Sequence, residues 1–97
     1  MDQIVNVALQ ILPKTNNSSE YQVIDKAIEV IQKSGLAYKV CPFETVIEGP
    51  YSEVMNVVND AQEVCFANGA HELIANLKIH RAADRSVFIN DKMEKYS

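Results

Sequence analysis

Between Gln3 and Leu12 the chain alternates strictly: Val5, Val7, Leu9 and Ile11 fall on one face, Ile4, Asn6, Ala8, Gln10 and Leu12 on the other. The first face is wholly apolar and the second mixed, which predicts a strand with one face on a core and the other free for a different use. Pro13 and the turn-forming run Asn16-Asn17-Ser18-Ser19 are expected to end it. The period then lengthens. Ile24, Ala27, Ile28 and Ile31 recur at helical spacing, broadened by Val23 and Val30. Ser19 with Gln22 has the form of a capping box, and Gly35 reads as a left-handed stop. "LAYKVC" predicts a second strand, Pro42 a tight reversal, and "FETVIEG" a third strand. Pro50 and Ser52 open a second helix with the stripe Val54, Val57, Val58, Ala61 and Cys65, flanked by Val64 and closed by Asn68-Gly69. In "HELIANLKIH" the alternation returns, with Leu73, Ala75, Leu77 and Ile79 facing one way and Glu72, Ile74, Asn76, Lys78 and His80 the other. Ser86 is placed to cap a short final helix with a minor stripe of Ile89, Met93 and Tyr96.

The order βαββαβ with short connections is the ferredoxin-like plan of the α+β class, an antiparallel sheet of strand order 4-1-3-2 with both helices on one side. The faces Val5/Val7/Leu9/Ile11 and Leu73/Ala75/Leu77/Ile79 are expected under the helices. The opposite sheet face is left open, covered at one end at most by the C-terminal helix. Asn6, Ala8 and Gln10 should lie there beside Ile74, Asn76 and Lys78. The register of the third strand stays open, because Thr45 and Ile47 take one face, Val46 and Glu48 the other, and both faces are partly apolar. An exposed face carrying Ile4, Leu12 and Ile74 among amides predicts sheet-to-sheet association around a polar pocket. A homo-oligomer follows, most simply a tetramer of sheet-paired dimers.

Ninety-seven residues fit one domain, 1–97, large enough to bury a core without staples. A formal charge of -4 speaks against a nucleic-acid partner, which would call for a basic stripe. No stretch has the roughly 20 apolar residues of a membrane span, and the N-terminus lacks the pattern of a signal peptide. The expectation is a cytoplasmic protein with no membrane partner. Cys41 and Cys65 match no metal spacing and are expected as free thiols.

This fold carries unrelated functions, so residues must choose among them. A heavy-metal chaperone needs paired cysteines after the first strand, where this chain has "PKTNNSS". An RNA-recognition domain needs stacked aromatics where Asn, Gln and Ala stand. An acyl-phosphate hydrolase needs an arginine near the first loop, whose only base is Lys14. His71 and His80 have no serine or cysteine set to be activated, and His80 is assigned to an exposed strand end. Glu44 and Glu48 lie about 13 Å apart along a strand, beyond any paired-carboxylate mechanism. The residues predict no catalytic centre, no metal site and no cofactor. A small-molecule binding module survives, because it asks only for a pocket with a few polar groups. A scaffold that uses the open face for self-assembly alone is the alternative.

Ser34-Gly35-Leu36 with Tyr38, Thr45-Val46-Ile47-Glu48-Gly49, Glu63, Gly69-Ala70 and Lys78-Ile79 together resemble the small thiamine-binding-protein family, and the likeness covers nearly the whole chain. It departs at His71-Glu72, where the family usually has a basic residue, and at His80-Arg81, where it usually has acidic ones. The resemblance implies a ferredoxin-like fold, sheet-mediated dimers and tetramers, and binding of thiamine or its hydroxymethylpyrimidine portion without chemistry. On that reading Thr45 offers a hydroxyl to a heterocycle, Glu48 accepts from an aminopyrimidine or balances a thiazolium, and Gly49 lets the backbone turn sharply. Asn6, Thr45 and Asn76 are expected to converge on one face, with Glu48 at the mouth and Ser19 and Tyr21 closing the rim.

Overall fold

Val5, Val7, Leu9 and Ile11 are buried, and they are the apolar face that decides how the sheet lies. The computed structural model describes residues 2–96. It contains β1 (Ile4–Thr15), α1 (Glu20–Lys33), β2 (Ala37–Val40), β3 (Thr45–Pro50), α2 (Tyr51–Ala67), β4 (Ala70–His80), α3 (Ile89–Met93) and a closing 3-10 turn (Glu94–Tyr96). The sheet is antiparallel with order β2-β3-β1-β4, which is the expected 4-1-3-2 read from the other edge. Both helices lie on the side of Val5 and Val7, giving the ferredoxin-like α+β sandwich. Val23, Ala27 and Ile31 of α1 and Val54, Val58, Ala61 and Cys65 of α2 close the core over β1 and β3. Gly35 and Gly69 take φ of 81° and 108°, the left-handed stops after α1 and α2.

Several local expectations change. β1 does not end at Leu12 but continues through Pro13 to Thr15. β3 pairs with β1 only as far as Leu9, so Pro13 stands where β1 has β4 as its single neighbour. A ladder tolerates a missing amide at such an edge. Ser19 occupies the N-cap of α1, but its side chain makes no capping bond, so the box does not form. Gly49 has no positive φ and lies inside β3; a Cβ there would stand 3.0 Å from Leu36 Cδ2 and 3.3 Å from Val54 Cγ2. It serves close packing, not a turn.

β4 is the largest departure. Leu73 packs on the core, whereas Ala75, Leu77 and Ile79 are exposed. Position in the sheet explains this: β4 is an edge strand, and the packed core reaches it only at Ala70 and Leu73. The far half of β4 is an edge open on both faces.

Candidate functional site

The register sets the open face in rows. Across the sheet, one row reads Ala37, Glu48, Asn6, His80, and the next reads Lys39, Val46, Ala8, Lys78. The rows are about 7 Å apart, two residues along a strand. Onto this end of the sheet folds the C-terminal segment. Ser86 does not cap a helix; its hydroxyl accepts from the Ile4 amide at 2.9 Å and bonds Gln3 Oε1 at 3.1 Å, while Phe88 takes the N-cap position of α3. Val87 is buried, and its amide donates to the Ile4 carbonyl at 2.9 Å.

Two side chains tie sheet to segment. Asn6 Nδ2 donates to Glu48 Oε2 at 3.1 Å and to the Val87 carbonyl at 3.0 Å. The Ile89 amide donates to the same Glu48 Oε2 at 2.6 Å. Two acceptors around Nδ2 fix the orientation of the Asn6 amide, since the reverse would set oxygen against oxygen. Asn6 is only 6% exposed, and its Oδ1 is buried with no partner among the described residues. An orphan carbonyl of this kind costs about 1–3 kcal/mol and calls for an explanation. Glu48 Oε1 likewise makes no hydrogen bond to a described residue, both bonds ending on Oε2.

Between the rows and the segment lies an open cleft of about 840 Å³. Asn6, Ala8, Val46 and Glu48 lie on its sheet side, Ile89, Lys92, Met93 and Tyr96 on its segment side, and Lys39, Lys78 and His80 around it. Lys92 Nζ stands 2.7 Å from His80 Nδ1. An ammonium can only donate, so Nδ1 is the acceptor of this contact.

The six sequence-derived site residues separate. Asn6 and Glu48 meet, and Glu48 lies on the floor rather than at the mouth. Asn76 shares their sheet face but pairs with Gln10, its Nδ2 donating to Gln10 Oε1 at 3.1 Å, two rows farther along β1. Thr45 does not converge with them. It sits opposite Leu9 on the helix-facing side and is 6% exposed, because alternation sends it the other way from Glu48, three positions along β3. Ser19 and Tyr21 do not close the rim. They start α1 beyond the Thr15 end of β1, and Tyr21 is 81% exposed. Sequence reasoning missed Lys39, Lys92 and the segment around Val87, and it set His80 aside as a bystander. Alternation in β2 sets Lys39 on the face away from Tyr38 and Val40, a usable signal; the return of Val87 onto β1 left none.

Fold and cleft define a class: a ferredoxin-like domain whose open sheet face holds a half-polar recess under a C-terminal strap. The chain belongs to the thiamine-binding protein family, whose model matches residues 7–97. A UPF0045 protein of Clostridium perfringens is 38% identical over 91 residues, covering 94% of this chain and 95% of that protein. The structure of a domain of unknown function, DUF77, from Bacillus cereus superimposes with a TM-score of 0.96 at 38% identity, over 99% of this chain and 92% of that one. A candidate thiamine biosynthesis/salvage protein from Thermotoga maritima gives a TM-score of 0.85 at 30% identity, over 97% of this chain and 99% of that one. No helix among the described residues is long and apolar enough to cross a membrane.

Proposed function

We propose that the protein is a non-catalytic, cytoplasmic binding protein for thiamine or a related hydroxymethylpyrimidine compound, a carrier, buffer or sensor that seats its ligand in the cleft over Asn6 and Glu48. One observation carries the reading: at the cleft floor two hydrogen-bond acceptors, Glu48 Oε1 and the buried Asn6 Oδ1, have no donor among the described residues. An aminopyrimidine presents an exocyclic amine as donor, and a thiazolium adds the positive charge that a carboxylate balances. Ala8 and Val46, in the next row, offer a flat apolar bed for a ring. The family match and the description of the Thermotoga maritima neighbour agree with this chemistry. Thermal denaturation against a panel of vitamins and nucleotides tests it. Thiamine or hydroxymethylpyrimidine well above its Kd should raise Tm, and a panel in which neither does so would reject the reading.

The remainder of the open face favours assembly. Leu12 and Ile74 pair across β1 and β4 at the end away from the cleft and are 43% and 47% exposed. They support sheet-paired dimers, joined into a tetramer. The same residues favour the second reading, a scaffold that self-assembles and binds no ligand, which the thermal panel separates from the first.

A further inference from the structure

The chain carries a net charge of -4, yet its cleft is lined by three lysines, Lys39, Lys78 and Lys92, against a single carboxylate, Glu48. These lysines come from β2, β4 and α3, so no local sequence run gathers them; the topology does. Lys39 and Lys78 occupy the two ends of one row, with Val46 and Ala8 between them. Three strand spacings separate their backbones by about 14 Å. The small residues between form a low saddle, and flexible four-carbon stems can bring both ammonium groups over it. On the neighbouring row His80 turns Nδ1 toward Lys92, which holds the third ammonium beside the same end of the saddle. Glu44 stands 3.5 Å from Lys78, and Lys39 has no ion pair among the described residues. The second independent mark is the orphan Oδ1 of Asn6, 6% exposed, one row away on the cleft side of the sheet.

The recess is therefore bipolar: acceptors on one row, ammonium donors on the next. A free amine-bearing ring uses the first and leaves the second idle. We propose that the preferred ligand of this cleft is phosphorylated, a ring with amine donors at Glu48 and Asn6 and a phosphate ester held by Lys39, Lys78 and Lys92. This rests on the binding reading above and names the ligand class within it. A phosphate carries nearly two charges and three acceptor oxygens at neutral pH, a match for ammonium groups from three directions.

Calorimetry decides it with four probes: thiamine, thiamine monophosphate, hydroxymethylpyrimidine and hydroxymethylpyrimidine phosphate. For the wild-type chain at low salt, each phosphate ester should bind at least about tenfold tighter than its alcohol. The ratio should shrink as ionic strength rises. In Lys39→Gln/Lys78→Gln the ratio should fall toward one, with Tm unchanged because both side chains are exposed. Lys33→Gln, on α1 outside the cleft, should keep the ratio of the wild type. Alcohols that bind as tightly as their phosphates would overturn the proposal and leave the binding reading standing. A ratio unaffected by the double substitution would also overturn it. If none of the four probes binds, both fall together.

Discussion

Glu48 and Thr45 are three residues apart on one strand, and their fates differ because a strand alternates. Val46 and Glu48 face the cleft; Thr45 and Ile47 face the helices. Thr45→Val should therefore leave ligand affinity within about twofold by isothermal titration, since the cleft lies on the other face of the sheet. A loss of tenfold would mean that Thr45 reaches the ligand. Ile47, fully buried on the central strand, should cost about 2–5 kcal/mol when cut to alanine, measured by urea denaturation. That β3 alternates was legible in its letters, but the face was not: both sides mix apolar and polar residues, and only pairing with β1 selects one. For β1 the pattern sufficed, because Val5, Val7, Leu9 and Ile11 leave no ambiguity. Cys65 was legible as a core thiol. Burial raises its pKa, so the folded chain holds that proton more tightly than the unfolded one. Its stabilising share is whole below the ordinary thiol value, about 8.5, and is lost as pH rises through the raised value. A thiol reagent at neutral pH should label the half-buried Cys41 well before Cys65, with both reacting equally in denaturant.

At the scale of elements, the C-terminal strap is the part that sequence could not place. Its α3 has no buried residue, and the minor stripe of Ile89, Met93 and Tyr96, which lines the cleft, is too short to announce where on the sheet it docks. What holds it is the buried Val87 side chain, the Ser86 hydroxyl between Ile4 and Gln3, the Lys92–His80 contact, and bonds from the strap's backbone: Val87 to Ile4, Val87 to Asn6, Ile89 to Glu48. Backbone groups are identical in every residue and leave no signature. The helices α1 and α2, by contrast, declare both stripe and stop. The strap's dependence on Glu48 has a measurable consequence. In Glu48→Ala the Ile89 amide loses its acceptor, and hydrogen exchange there should quicken by at least about tenfold, consistent with a charge-assisted bond worth about 1.5–3 kcal/mol. Exchange in α1 and α2 should not change. Equal acceleration throughout would show that Glu48 stabilises the fold rather than the strap.

For the whole molecule, β4 is where the architecture bears on the proposed assembly. On this edge strand Leu77 and Ile79 are 36% and 43% exposed on one face, and Ile74 is exposed on the other. A long edge strand apolar on both sides invites pairing. Sedimentation at micromolar concentration should show an assembly larger than the 10.9 kDa chain, and Ile74→Lys should shift it toward monomer. The cleft lies at the opposite end of the face, so that substitution should leave binding intact if the partner does not complete the site. The central claim is the seating of an amine-bearing ring on Glu48 and Asn6, and titration calorimetry of thiamine and hydroxymethylpyrimidine into the wild-type chain and Glu48→Gln tests it most directly. Saturable heat in the wild type, with affinity about tenfold weaker in a folded Glu48→Gln, is the expected result; no heat at about millimolar ligand, or equal affinity in both proteins, would contradict it.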